Sequence, residues 1–410
     1  MSVPSFTQFL TESKEGKLTH LTHLEDVLLD EGMHGMDFIM KVLDEFAYML
    51  GGSGVARSFN VTTKWDGAPG VVFGPDPADG RFFVATKSAF NKSPKLMKSH
   101  ADISAAYGDG GLAQKLHICL NELPHPPRVL QGDLLFSSQD LKMQEVDGKS
   151  FVSFRPNTIL YAVDTESQLG QRILTAELGI VIHTMYVGNG KSIGDYRAAP
   201  IAPVVFAAIP HSRRVVALDA KYDDVSGSAT FTVGEEHEFL LATSHVESAA
   251  RQVSAQLANH LSAEPMHGFL TQFLNNAVRT NARGGNADKA RLFAEWLVDR
   301  RDAEIVKRST PVGKAGVNQK FNPLIQHVTS NLVRYADWFT LHGAIERAKI
   351  LVVRKLGQVS AVRTFLPTPS GLKVTGPEGF VAVSHSGRMV KLVDRLEFSR
   401  ANFLATKEWT

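Results

Sequence analysis

Apolar positions along this chain change their spacing three times. Between Leu24 and Leu50 they recur at intervals of three and four, at Leu24, Val27 and Leu28 and then at Met36, Ile39, Met40, Val42, Leu43, Phe46 and Leu50, which predicts helix. Gly51-Gly52-Ser53-Gly54 supplies the stop. From Ser58 to about Thr232 the texture is short β-branched and aromatic runs: Phe59–Thr63, Gly70–Phe73, Arg81–Thr86, Val129–Phe136, Thr158–Val163 and Gly179–Thr184. Turn clusters such as Gly74-Pro-Asp-Pro-Ala-Asp-Gly80 separate them, predicting a mixed or antiparallel sheet with hairpins. Helical spacing then returns in Ser244–Leu261, Met266–Thr280, Asn286–Arg308 and Asn322–Leu356, with breaks expected at Gly284-Gly285 and Pro311-Val-Gly313. The end of the chain is strand-like again, in Val359–Phe365, Gly371–Thr375, Gly379–Ser384 and Met389–Val393.

The expected class is therefore α+β. Isolated hairpins are not stable alone, so the final strands should complete the earlier sheet around a mainly helical insertion. The expected divisions are an N-terminal helical segment 1–55, a sheet domain in two parts, 56–240 and 358–410, and a helical domain 241–357 between them.

Composition narrows the classes. The 410 residues carry 44 Lys+Arg against 42 Asp+Glu, a formal charge of +2 that neither implies nor excludes nucleic acid. The single cysteine, Cys119, rules out an internal disulfide framework and a Cys-rich zinc site and fits a reducing compartment. The longest apolar stretch, Ile201 to Pro210, is half of what a bilayer span requires, and the polar start MSVPSFTQFLTESKEGK does not read as a signal peptide. A soluble protein with no membrane partner is expected.

The stretch richest in chemistry is Val61-Thr-Thr-Lys64-Trp65-Asp66-Gly67-Ala68-Pro69. A lysine at a strand end, followed by a tight turn with Asp and Gly, sets an amine at the mouth of a sheet where backbone can approach a ligand. A solvated lysine before a hairpin turn is the plainer alternative. His20 and His23 with Glu25 and Asp26 are candidate metal ligands or, without a third close donor, a helix cap with surface histidines. Lys87, Lys92, Lys95 and Lys98 form a basic loop for phosphate or solvent. Arg300-Arg301, Lys307-Arg308 and Arg347 to Lys355 are basic helical clusters that could track phosphates or simply face water.

Lys64-x-Asp66-Gly67 resembles the first motif of the covalent nucleotidyltransferases, the superfamily of ATP-dependent DNA ligases, RNA ligases and mRNA capping enzymes. Further segments look like that family's later motifs in the same order: Val129–Phe136 with Gly132-Asp133, Thr158–Val163 with Tyr161, Glu378-Gly379-Phe380-Val381, and the strand lysine Lys391. The resemblance implies that Lys64 is the catalytic nucleophile, forming a lysyl-AMP. It also implies that Asp66, Gly67, Lys87, Asp133, Tyr161, Glu378 and Lys391 surround the nucleotide, that Asp133 and Glu378 hold metal, and that ATP with Mg²⁺ (or Mn²⁺) is required. In that family the Tyr161 position stacks on the base.

Departures accompany the match. The fifth motif lacks its second lysine, which Arg388 or Arg395 would have to replace; Val383 stands where a lysine often closes the fourth motif and Pro69 where an arginine is often found. Only 15 residues follow Arg395, too few for the barrel domain that DNA ligases and capping enzymes carry there, which favours an RNA-ligase-like arrangement. The implied partner is nucleic acid with 5′-phosphate and 3′-hydroxyl ends. A protein or small-molecule acceptor stays open, as does a catalytically degenerate structural protein.

A second resemblance covers the whole chain. Ser5–Glu12, Thr19–Asp26, Phe82–Lys92 and Pro156–Tyr161 look like proteins of large contractile-tailed bacteriophages, and Phe6-x-x-Phe9-Leu10-x-Glu12 is similar to capsid-targeting leaders, or to any amphipathic first helix. It implies a host-cytoplasmic protein or one packaged in the phage head.

Overall fold

The computed structural model describes residues 21–53, 59–146, 148–221, 229–280, 285–358, 363–368, 371–375, 378–384 and 388–399. The leader-like Ser5–Glu12 and His20 lie outside them. The fold is α+β. Its helices are α1 (Val27–Glu31), α2 (Met36–Tyr48), α3 (His100–Tyr107), α4 (Gly111–Glu122), α5 (Gln168–Thr175), α6 (Pro203–Ala207), α7 (Val233–Ala250), α8 (Ala255–Leu261), α9 (Met266–Thr280), α10 (Asn286–Val306), α11 (Pro311–Ser330) and α12 (Leu332–Gly357). Its strands are β1 (Phe59–Lys64), β2 (Gly70–Pro75), β3 (Phe82–Ala85), β4 (Leu130–Ser137), β5 (Lys142–Val146), β6 (Lys149–Phe154) and β7 (Leu160–Asp164), then β8 (Leu178–Val187), β9 (Arg197–Pro200), β10 (Val215–Asp219), β11 (Arg363–Thr368), β12 (Gly371–Thr375), β13 (Gly379–Ser384) and β14 (Met389–Val393).

The strands form three sheets, ordered β1-β13-β14, β10-β8-β4-β2-β3 with β9 on β8, and β12-β11-β7-β6-β5. Pairing is antiparallel except between β8 and β10. Strands from the end of the chain thus complete sheets begun near its start: β13 lies beside β1, and β11 beside β7. Every residue of β13 is buried, as expected for a central strand covered on both faces. Gly379 is required there, because a Cβ would come 2.2 Å from the Leu392 carbonyl oxygen.

The helical layer shares its core with the first sheet. Phe59, Val61, Phe380, Ala382, Val390 and Leu392 pack in one apolar cluster with Leu43 and Phe46 of α2 and with Phe293, Trp338 and Leu341 of the long helices. The helices are therefore the backing of that sheet. A second cluster joins the middle sheet to α3 and α4, and a third lies between the middle and last sheets, with Phe136, Val181, Phe154 and Tyr161 in contact.

Several local details differ from the periodicity. Pro311-Val-Gly313 begins α11 instead of breaking a helix: Pro is at the first helical position, where its missing N–H costs nothing, and Thr310 Oγ1 accepts from Gly313 N–H. The helical block starts at Val233 because Thr232 and Glu235 form a reciprocal capping box. Ser244–Leu261 is split in two, with Ser254 capping the second piece through Leu257 N–H. Helices α3, α4, α5 and α6 lie within the region of strand-like runs. Among the described residues no helix is long and apolar enough to cross a membrane.

The segment before α1 is held by buried charge. Glu25 Oε1 accepts from Lys349 Nζ at 2.7 Å, with both side chains fully buried. Asp26 accepts from Arg395 at 2.9 and 3.0 Å and lies 3.2 Å from His342 Nε2. Burial alone would raise the Asp26 carboxyl; the His342 hydrogen bond and the Arg395 charge instead bring it down to about 2. Glu25 and Asp26 are thus engaged by the chain's own cations; neither metal ligation nor a helix cap with surface histidines fits, since Asp26 makes no side-chain capping bond and His23 is 7 % exposed. Removing one partner of a buried pair leaves an uncompensated charge. Glu25→Gln or Lys349→Met should each cost about 3–5 kcal/mol in urea unfolding, and the double variant should recover much of that. Single-variant losses below about 1 kcal/mol would show that the pair does not anchor the segment.

Candidate active site

Antiparallel pairing decides which side chains meet. Lys64 sits opposite Gly379 at the end of β1, and Lys391 on β14 sits opposite Val381. Directly opposed residues share a face, and so do residues two apart. Lys64 and Lys391 therefore project from one face of this sheet, while Val61, Phe380, Ala382 and Leu392 project from the other into the helical core. The Lys64 ammonium donates to Glu378 Oε2. Burial lowers the Lys64 pKa, but the Glu378 carboxylate, reinforced by Asp133 and Asp66, outweighs it, and the net shift is upward. Burial likewise pushes the Glu378 carboxyl up, with Lys64 opposing.

Lys391 is the contrasting cation. Burial first and the neighbouring Lys64 charge next lower its pKa. Its backbone N–H donates to Thr22 O at 2.9 Å, tying β14 to the segment that carries Glu25 and Asp26. Its side chain has no ion-pair partner among the described residues.

The turn after Lys64 lies along β4. Ala68 N–H donates to Leu134 O at 2.8 Å, and Leu134 N–H donates to Pro69 O at 3.0 Å. Gly67 permits this approach, since a Cβ there would meet the Asp133 Cβ at 2.7 Å. Asp133, opposite Gly70, is brought to the same place, with 29 % of its side chain exposed.

Asp66 has a different task from the one expected. Its carboxylate accepts from Thr158 N–H at 2.6 Å, Ile159 N–H at 2.8 Å and Asn157 Nδ2 at 2.8 Å, and it is 3 % exposed. It pins the loop before β7 and has little capacity left for a nucleotide. Burial nonetheless leaves its carboxyl raised. Tyr161 is also corrected. Its ring is 1 % exposed, packed 5.2 Å from Trp65 and 5.5 Å from Phe154, so neither face is open to a base. Its hydroxyl accepts from Asp66 N–H at 2.8 Å. Lys87 is exposed in the turn just after β3 and takes no part in the Lys64–Glu378 contact.

The two arginines considered as replacement phosphate cations are both engaged elsewhere. Arg388 donates to Glu31 at 2.5 Å and lies 3.5 Å over the Phe38 ring; Arg395 is held by Asp26 and Asn275. Of the basic clusters, Lys349 and Lys355 are buried against Glu25 and Glu235. Lys98 is bound by Asp76 and Asp79.

His183 was not among the candidates. A bulge in the β4–β8 pairing, where Gln131 faces Thr184 but Gly132 faces Ile182, leaves His183 as the extra residue and points its Nε2 to 3.5 Å from Asp133 Oδ2. Strict two-residue alternation hides such a residue, and only the register shift reveals it.

Among the described residues no three His, Cys, Asp or Glu side chains converge as a metal cage. Asp133 and Glu378 still suit a hard cation that keeps water and takes its remaining oxygens from a phosphate, as Mg²⁺ does.

The chain belongs to a family of unknown function, DUF6267, whose match spans residues 18–407. No curated protein and no solved structure matches it.

The Asp66–Tyr161 arrangement is testable. Tyr161→Phe removes the acceptor of a buried N–H and should cost about 1–3 kcal/mol in urea unfolding. Full stability of the variant would show that the hydroxyl does not hold the Asp66 amide.

Proposed function

We propose that this protein is an ATP-dependent nucleotidyltransferase of the polynucleotide-ligase type, with Lys64 as nucleophile. The observation that carries the reading is the placement of Lys64, Glu378, Asp133 and Lys391 around one site, although Lys64 and Glu378 lie 314 positions apart. An amine for attack, carboxylates for a cation and a second ammonium for phosphate charge are the parts such a displacement requires.

In the reaction, the Lys64 nitrogen forms a bond to the α-phosphorus of ATP as the bond to the bridging oxygen breaks and pyrophosphate leaves. Lys64 must first lose a proton, which its pairing with Glu378 opposes. Asp133 and Glu378 would hold a divalent cation, which would supply positive charge against the phosphates. The Lys64 proton passes to solvent, leaving the neutral amine that attacks. Lys391, close to Lys64 and without an ion-pair partner among the described residues, suits contact with the α-phosphate. A 5′-phosphate oxygen of the acceptor would next take the AMP, breaking the P–N bond and restoring the lysine. Attack by a 3′-hydroxyl on the 5′-phosphorus would join the ends and release AMP.

A second reading, a catalytically degenerate phage head-internal or DNA-associated structural protein, draws support from Arg388 and Arg395 being committed elsewhere.

Incubation with α-labelled ATP, and separately GTP, with Mg²⁺ or Mn²⁺ should give a label that survives denaturation and is absent in Lys64→Ala. Because Lys64 is reactive only when neutral and its pKa is raised, the initial rate should climb with pH from neutral, by up to about tenfold per pH unit. No label in the folded, metal-supplied protein favours the structural reading, and a label retained in Lys64→Ala removes Lys64 from the mechanism.

A further inference from the structure

Two consecutive side chains of β8, His183 and Thr184, lie on one face of the middle sheet. Val181 opposes Asp133 and Thr184 opposes Gln131, so both share the face that carries Asp133. His183, two residues after Val181, joins them because the bulge inserts it as an extra residue. Ile182 and Met185 point the other way, into the cluster packed against α3 and α4. Without the bulge, strict alternation would turn His183 or Thr184 into that core. The bulge thus sets an imidazole beside a carboxylate whose charge is felt at Lys64.

The geometry of this pair is that of two donors around an ion. His183 Nδ1 lies 2.8 Å from Thr184 Oγ1, which fixes the ring. His183 Nε2 faces Asp133 Oδ2 at 3.5 Å, and each side chain is 29 % exposed. That separation is beyond an ordinary N–H···O hydrogen bond. It matches two ligands of one divalent ion, since donors about 2.1 Å from a metal stand about 3.0–3.5 Å from each other. When Nδ1–H donates to Thr184, Nε2 presents a lone pair to the carboxylate, and a cation between them satisfies both. An outer hydrogen bond of this kind is what orients a ligating imidazole. Asp133 Oδ1 lies on the Gly70 side, where an added Cβ would be 3.2 Å away, so Oδ2 is the oxygen turned to His183. While Glu378 is held by Lys64, Asp133 has no cationic side chain other than His183 within ion-pair distance among the described residues.

We propose that His183 and Asp133 together bind a divalent first-row transition-metal ion, with Mn²⁺ taken in preference to Mg²⁺ and water or phosphate oxygens completing the shell. Carboxylates alone suit Mg²⁺, whereas an imidazole nitrogen favours the transition metals. The inference adds a nitrogen ligand and an ion preference to the site. It rests on the Lys64 reading for where the ion acts, not for whether it binds.

The test follows Mn²⁺ binding to the full-length protein by electron paramagnetic resonance, in which the signal of the free ion falls as ion is bound, and reads Mg²⁺ affinity by competition. The wild type should show bound Mn²⁺ with nitrogen modulation in the pulsed spectrum. His183→Ala should lose that modulation and bind Mn²⁺ at least about tenfold more weakly, with Mg²⁺ affinity changed by less than about threefold. Asp133→Asn should weaken both ions. Thermal unfolding verifies that the variants fold, and His183→Gln, which keeps a polar side chain at the bulge, serves if His183→Ala does not. Absence of nitrogen modulation in the wild type, modulation that survives loss of His183, or equal weakening of Mn²⁺ and Mg²⁺ on that loss overturns the proposal. Labelling with ATP separates it from the Lys64 reading. A wild-type protein that binds Mn²⁺ through nitrogen yet takes no label leaves this inference standing; one that takes label without any nitrogen signal overturns it and leaves that reading intact.

Discussion

Strand β1, formed before residue 65, hydrogen-bonds along its whole length to β13, formed after residue 378. That pairing brings Lys64 to Glu378, puts Lys391 on the same face, and turns the opposite face into a platform for the long helices. A slip of one residue in its register would move every side chain to the other face, burying the lysine and exposing Phe380 and Leu392. Core and site are two faces of one three-stranded sheet, so the packing that stabilises the first also holds the geometry of the second.

Charge is distributed unevenly across that sheet. On the Lys64 side, two lysines share a partly buried space with Glu378 and Asp133; beyond it, the Glu25–Lys349 and Asp26–Arg395 contacts anchor the segment before α1 to α12 and to the turn after β14. Buried pairs of this kind contribute little net stability over apolar residues of equal size, but a missing partner is costly, which makes them markers of register. Several buried polar atoms around them, among them Glu25 Oε2, Arg395 Nε and Trp338 Nε1, have no hydrogen-bond partner among the described residues. Such groups suit water-mediated contacts.

Local pattern carried much of the architecture. The three-and-four spacing around Ile39, Val42, Leu43 and Phe46 corresponds to the buried face of α2, and the runs at Val129–Phe136 and Gly379–Ser384 are β4 and β13. The short amphipathic helices were less legible. Ala113, Leu116 and Cys119 recur at three-residue spacing on α4, but the segment is brief and set among strand-like runs, where a few apolar positions fit either period. Pro311 is ambiguous for a related reason, since proline breaks a helix interior yet suits its first turn, and only the boundary distinguishes the two.

Residue identity and order along the chain determined which side chains were available for chemistry: a lysine at a strand end, carboxylates at turns, a second lysine in a late strand. Their tasks were decided in three dimensions. Asp66 spends its oxygens on the Thr158 and Ile159 amides, Tyr161 is consumed by the core, and His183 reaches Asp133 only because the β4–β8 ladder bulges. Hydrogen-bond capacity, burial and register depend on partners distant in sequence. A single chain read from end to end names the donors and acceptors, and the pairing of its strands determines which of them meet.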